Sequence, residues 1–280
     1  MSDARQKLTR RMDHTKLKEL YVGTQNVEFY DQLLGEYDQM MDWESRLQRE
    51  TPFFEKILAD YRVKTILDVG CGTGRHCFHF LTLGAEAVVG ADASDRIVEL
   101  AQTRAAAIGG DVRFVQAKFT DVAERVSGPF NMVCSLGNSI SHLLTYDDLE
   151  LTFKNFRKLV SAKGIVLIHC LNWERRLAQQ ERFFQPKGHP QPEGEKLFFR
   201  FLDYHDELVT MNLLIFQQEP SIDRKWGYRV SSTTLRPWRR ELIRMAMDDA
   251  NLNPIQEYGG MDLSPFHPTS SADYIVIAKK

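Results

Sequence analysis

Asp68-Val69-Gly70-Cys71-Gly72-Thr73-Gly74 is the stretch of this chain best equipped to hold a ligand. Alternate glycines permit backbone angles that other residues avoid and let a ligand approach the main chain. The run follows an apolar, strand-like stretch and precedes a helical one, which puts it at the carboxyl end of a strand, where open α/β sheets bind ligands. A dinucleotide loop is excluded by spacing: the third glycine of G-x-G-x-x-G falls on Arg75 when counted from Gly70 and on Cys77 when counted from Gly72. No Walker lysine is present either. Roughly 20 residues on, at the end of a second strand, an acidic side chain can accept both ribose hydroxyls, and Asp92 stands there, in Val89-Gly90-Ala91-Asp92-Ala93-Ser94. Its competing role is to start the following helix, a task for which Ser94 and Asp95 are also suited.

These loops need a frame. Thr65 to Val69, Ala87 to Ala91, Val112 to Val115, Phe130 to Cys134 and Gly164 to Ile168 read as short apolar strands, with helical stretches over 75–83, 94–107 and 147–160 between them. Such alternation predicts an α/β, doubly wound, parallel sheet with helices on both faces. Residues 27–60 carry helical periodicity (Tyr30, Leu33, Leu34, Tyr37, Met40, Met41), and Thr51-Pro52 predicts a helix start, proline being favoured at the first position, with Phe53, Phe54, Ile57 and Leu58 as its apolar face. The Pro/Gly-rich run Gln185 to Gly194 reads as loop. Lys196 to Asp203, Val209 to Gln217 and Arg229 to Leu235 read as strands of an antiparallel insertion over the ligand edge, before a helix at 237–250 and a strand from Tyr274 to Ala278 rejoin the main sheet. The expected division is a helical N-terminal lid (1–60), a ligand-binding domain (61–173 with 235–280) and a cap (174–234).

A formal net charge of −2 supplies no global basic field, which disfavours a nucleic-acid partner. The basic stretch Arg5 to Lys18 is interrupted by Asp13 and followed by no apolar core, so it does not read as a signal peptide. No apolar run approaches the roughly 20 residues that cross a bilayer, so no membrane partner is expected. Cys71, Cys77, Cys134 and Cys170 form no C-x-x-C and read as reduced residues of a cytoplasmic protein. No metal ligands are assigned, and a homo-oligomer is compatible with the sequence.

The D-x-G-x-G-x-G spacing resembles the first motif of class I (Rossmann-like) S-adenosylmethionine-dependent methyltransferases. After the fourth strand the chain reads Leu136-Gly137-Asn138-Ser139-Ile140-Ser141-His142-Leu143. Together with Ala91-Asp92-Ala93-Ser94, over about residues 30–175, this resembles the glycine N-methyltransferase group. The resemblance implies a seven-stranded, mostly parallel sheet, S-adenosyl-L-methionine as cofactor with S-adenosyl-L-homocysteine as product, and methyl transfer to a small molecule, an amine nitrogen above all. It implies that Asp68, Gly70, Cys71, Gly72, Gly74, Asp92, Ala93, Lys118, Phe119, Leu136 and Ser139 hold the cofactor, with Tyr37 and Arg46 covering it from the N-terminal helices and Arg46 pairing with the methionine carboxylate. Lys118 stands where many methyltransferases place an acidic or amide side chain against adenine. The resemblance further implies that Asn138 orients the acceptor and His142 closes the pocket near the sulfonium, where it is the candidate for any proton transfer. The glycine-specific enzymes carry an arginine where this chain has Leu171, and their later tyrosine falls among Ser231 to Thr234 here, so the reaction type carries over and glycine as substrate does not. Asn172, Trp173 and Arg236 are the remaining substrate-binding candidates. An O-methyltransferase and a non-catalytic cofactor-binding regulatory subunit stay open. A base or glutamine methylator is disfavoured because Leu136 to Ser139 lacks the Asp/Asn-Pro-Pro-Tyr/Phe signature.

Overall fold

Val69 and three neighbours in β1 (Thr65–Val69) are wholly buried, as a strand covered by helices on both faces must be. The computed structural model describes residues 24–191, 194–218 and 225–280, so the basic Arg5 to Lys18 stretch lies outside the described residues. Parallel to β1 run β2 (Ala87–Asp92), β3 (Val112–Gln116), β4 (Phe130–Ser135) and β5 (Val160–Leu171). With β10 (Asn253–Tyr258) and β11 (Asp273–Lys279) they form one sheet of order β10-β11-β5-β4-β1-β2-β3, in which β11 is antiparallel to both neighbours. This is the seven-stranded, mostly parallel, doubly wound sheet expected from the sequence. The order reverses at β1 and β4, and the crevice beyond their carboxyl ends is where such sheets bind ligands.

Between the strands lie α4 (Arg75–Thr82), α5 (Asp95–Ile108), α6 (Val122–Arg125), α7 (Tyr146–Leu159) and, before β10, α9 (Arg240–Asp249). Ser94 accepts from the Ile97 N–H to start α5, and Thr145 accepts from the Asp148 N–H to start α7. One core joins α7 and α9 to the sheet through Phe153, Phe156 and Met247; the other joins α4, α5 and the helix over Trp43–Asp60 through Phe54, Phe80 and Val98. Strand β10 has no counterpart in the sequence reading. It is an edge strand with half-exposed side chains and Pro254 near its start, so it lacks the apolar alternation that marks a strand.

The cap sheet is antiparallel, of order β6-β7-β8-β9, built from Lys187–Gln191, Gly194–Tyr204, Val209–Gln218 and Trp226–Leu235. The last three are the predicted strands. β6 replaces the predicted loop: it is an edge strand, the place where Gly188 and Pro190 are tolerated because one side of the backbone needs no ladder partner. A short α8 (Trp173–Gln179) connects β5 to the cap.

Upstream, α1 (Thr24–Asp31), α2 (Glu36–Met41) and α3 (Trp43–Asp60) precede the sheet. No helix starts at Thr51-Pro52; α3 runs through Pro52 from a left-handed Asp42 (φ 47°). An interior proline removes one helix hydrogen bond and costs about 3 kcal/mol. Burial of Phe53, Phe54, Ile57 and Leu58 outweighs that, at about 1.5–3 kcal/mol per side chain. Among the described residues no helix is long and apolar enough to cross a membrane.

Candidate active site

The turn after β1 uses its glycines differently. Gly72 (φ +55°) faces open space: a Cβ built there meets nothing within 4 Å. Gly74 (φ +78°) faces the interior, where a Cβ would lie 2.5 Å from the Phe114 ring. Gly74 was expected to touch the cofactor; instead it lets α4 pack against Phe114 and lines neither recess of the site. Gly74→Ala is therefore expected to destabilise the fold by about 2–4 kcal/mol, from left-handed strain and overpacking. The check is the urea midpoint at constant m-value, and an unchanged midpoint would mean that Phe114 yields.

A cavity of about 630 Å³ opens at the carboxyl ends of the strands. Gly70, Gly72, Asp92, Ala93, Lys118, Phe119, Ser139 and His142 line its sheet side, and Tyr30, Leu33 and Tyr37 its helical side. Asp92 Oδ2 accepts from the Gly72 N–H at 2.9 Å and Oδ1 from the Ser94 N–H at 3.0 Å. Burial pushes its pKa up, opposed by those backbone donors. Ser94 is the helix cap, so Asp92 stays on the cavity wall. The Phe119 ring lies over Gly70, 3.0 Å from where a Cβ would stand. The Lys118 side chain is exposed at the rim, and its N–H is taken by Asp121.

A narrower recess adjoins the cavity and shares Tyr37, Gly70, Gly72, Thr73, Gly137 and Ser139 with it. Trp43, Arg46, Asp68, Cys71, His76 and Leu136 complete its wall. Arg46 Nε donates to Glu50 at 2.8 Å, and its guanidinium stacks on Trp43 at 4.8 Å. That fixes the fork: a Cβ on Gly137 would lie 3.5 Å from Nη2 and 3.9 Å from Nη1. Burial would raise the Glu50 carboxyl, but a hydrogen bond from His76 and the Arg46 charge hold it down, while burial keeps His76 neutral. Asp68 lies beneath the turn, hydrogen-bonded by the Cys77 and Cys134 thiols at 3.7 Å each, and burial pushes its pKa up to about 7. Asp38 ties α2 to the turn, accepting from Thr73 Oγ1 at 2.8 Å and pairing with Arg75 and Arg104. Sequence reading missed Asp38, Glu50 and His76: the Asp38–Thr73 and Glu50–His76 contacts join residues 35 and 26 positions apart and leave no local pattern.

Residues 66–164 match a family model described as a methyltransferase domain. The chain is 28% identical over 272 residues to a glycine/sarcosine N-methyltransferase of Halorhodospira halochloris, covering 96% of this chain and 94% of that one. It is 29% identical over 161 residues to a glycine/sarcosine N-methyltransferase of Parasynechococcus marenigrum, a match that spans 58% of this chain and 57% of the relative's length. A solved S-adenosylmethionine-dependent methyltransferase of Clostridium acetobutylicum shares the fold with a TM-score of 0.73 at 15% identity, over 89% of this chain and 98% of that one. Residues 66–164 form a methyltransferase domain, and the chain has the fold of S-adenosylmethionine-dependent methyltransferases.

The methyltransferase has room for this cofactor. The open face of Gly72, the carboxylate of Asp92 and the fork of Arg46 line one continuous wall, and they match respectively a close backbone approach, a ribose diol and a carboxylate.

His142, in a 3₁₀ turn (Ser139–His142), is on the cavity wall, its Nε2 2.8 Å from Tyr30 Oη. Burial lowers its pKa to about 4, so the imidazole is neutral at ordinary pH. Tyr30 was read only as an apolar position of a helix. Its hydroxyl pairs with a histidine 112 residues away, beyond the reach of periodicity.

Four substrate-side candidates fall elsewhere than expected. Asn138 is outside both wall sets, and its Oδ1 accepts from Ser141 Oγ at 2.8 Å and the Leu171 N–H at 3.2 Å, so that among the described residues its NH₂ group is the end without a bond. Asn172 is fully buried: its Nδ2 donates to the Pro268 and Ser271 carbonyls and its Oδ1 starts α8, which makes it a structural amide. Trp173, expected at the substrate, is fully buried among Leu202, Val209 and Leu235, with Nε1 donating to Ser141 Oγ. Arg236 is spent on the Leu144 carbonyl, the Glu207 carboxylate and the face of Trp238.

Proposed function

We propose that this methyltransferase transfers a methyl group to the nitrogen of a small amine. The observation that carries the reading is the continuity of the Asp92–Gly72–Arg46 wall with a cavity closed by Tyr30, Tyr37 and neutral His142. The glycine/sarcosine N-methyltransferase names of the relatives support nitrogen as the acceptor.

Bound S-adenosylmethionine supplies a methyl group on a sulfonium, already activated for in-line displacement by a neutral nucleophile. The protein's task is then alignment at near-attack distance and exclusion of water. In this reading Asp92 accepts the ribose hydroxyls, Arg46 pairs with the methionine carboxylate, and Phe119 covers the apolar part of the nucleoside. Ala93, Leu136 and Ser139 shape the wall, and Lys118 stands at its rim. Cys71 and Asp68 support the turn from below. Helices α1 to α3 act as the lid and the four-stranded sheet as the cap, in keeping with the division at 60, 174 and 235. The four described cysteines are buried and free, which suits a reducing, cytoplasmic setting.

An ammonium has no lone pair, so the acceptor must shed a proton before it is methylated. His142 shares its Nε2 with Tyr30 and is already neutral, so it orients the wall and does not set a titration near neutrality. The acidic limb of kcat/KM is therefore expected to follow the pKa of the acceptor across amines of graded basicity. A limb fixed in pH whatever the amine would assign deprotonation to the protein.

Incubating the protein with methyl-labelled donor and a panel of amines, amino acids and hydroxy compounds tests the reaction class. Label in an amine supports it. Label in hydroxy compounds alone, or in nothing despite tight binding of S-adenosylhomocysteine, overturns it.

A further inference from the structure

Arginine side chains stay charged at any accessible pH, so burying one without an anion is costly. In and beside the cap, Arg182, Arg229 and Arg236 pair with Asp203, Glu36 and Glu207, and Arg176 with Glu181. Arg200 is the exception. Among the described residues no carboxylate pairs with it, and the charged groups that act on it most strongly are Arg176 and Arg46, both cations. Lys187 from β6 adds a third positive charge nearby.

The position of Arg200 gives this charge a direction. On β7 alternate residues share a face, so Phe198, Arg200 and Leu202 point the same way. Phe198 packs with Phe29 and Leu33 of the lid, beside Tyr30 and Tyr37 of the cavity wall. Leu202 packs with Trp173, beside Leu171 at the end of β5. Arg200 thus lies between two apolar clusters on the face turned to the catalytic sheet, near Tyr30 and Tyr37 of the cavity wall and behind the residues that line it. Its guanidinium rests on the Phe184 ring at 4.7 Å, and Arg176 on the same ring at 4.5 Å, a support that limits its freedom without neutralising it. Burial disfavours its charged form, so a ligand anion would relieve an existing strain on the site.

We propose that Arg200 is the anchor for an acidic group on the methyl acceptor, a carboxylate or a phosphate, so that the amine methylated here is an anionic one. The proposal rests on the amine reading and adds the acceptor's charge and the residue that selects it. Planar guanidinium suits both anions, since each offers two oxygens to its fork.

Calorimetry on the full chain saturated with S-adenosylhomocysteine tests this with matched pairs: sarcosine against sarcosinamide, and phosphoethanolamine against ethanolamine. In at least one pair the acidic member is expected to bind about tenfold or more tightly than its match, as a charge-assisted pair in a sheltered site would give. Which pair discriminates tells carboxylate from phosphate. Arg200→Gln is expected to erase the preference and Arg200→Lys to keep part of it, while both bind S-adenosylhomocysteine as the parent does, which shows that they are folded. The proposal is overturned if the parent prefers neither acidic member, or if Arg200→Gln keeps the preference. Should the preference be present and none of these amines be methylated when S-adenosylmethionine replaces S-adenosylhomocysteine, the reaction assignment fails and the anion site stands.

Discussion

Asp92→Ala is expected to weaken binding of S-adenosylmethionine and S-adenosylhomocysteine by about 100-fold or more. A hydrogen bond to a charged group contributes about 1.5–3 kcal/mol, so two ribose hydroxyls on one carboxylate amount to about 3–6 kcal/mol, and about 1.4 kcal/mol is a tenfold change in affinity. The buried setting of Asp92 puts the change at the upper end, because water competes poorly there. The variant also frees the Gly72 and Ser94 amides, which loosens the turn itself. Asp92→Asn keeps one acceptor and is expected to fall between the two. Titration calorimetry reads this directly. An Asp92→Ala protein of unchanged affinity would place the ribose elsewhere.

Arg46→Ala is expected to cost about 50-fold or more in affinity for S-adenosylhomocysteine, and almost nothing for the analogue that lacks the amino-acid carboxylate. The guanidinium is oriented before any ligand arrives, with Nε on Glu50, its face on Trp43 and its fork towards Gly137. A preorganised bidentate pair loses little side-chain entropy on binding, so most of its attraction appears as affinity. Removing Arg46 also takes one of the groups that hold the Glu50 carboxyl down, so some loss of stability is expected. The two ligands separate these effects: destabilisation weakens both, while loss of the carboxylate contact weakens one. Equal weakening of both would remove Arg46 from the cofactor's carboxylate.

The parts of the fold that were legible are those encoded within a few residues. The turn from Gly70 to Gly74 and the apolar runs of β1, β2 and β4 carry their geometry in composition and period. Asp92 was legible because Ser94, two positions on, is a sufficient helix cap. What was not legible depends on partners remote in sequence. Asn172 looks the same in sequence whether its amide meets a substrate or the carbonyls of 268 and 271, and only the folded loop decides. Trp173 and Arg236 were misplaced for the same reason, their partners being Ser141 and Glu207. β6 was hidden by Gly188 and Pro190, which an edge strand accepts and a central one does not. Arg200 gave no signal, since the significance of its charge lies in the absence of a described partner across the cap.

The cavity beside Asp92 and His142 is expected to deliver a methyl group to nitrogen. The most direct measurement is a single turnover with isotopically labelled methyl donor and a labelled-nitrogen acceptor drawn from the amines that bind, followed by nuclear magnetic resonance of the product. The expected result is a methyl carbon coupled to the acceptor nitrogen, with one S-adenosylhomocysteine formed per methyl transferred. A methyl carbon bonded to oxygen, or one that remains on the donor while the amine sits bound, would contradict it.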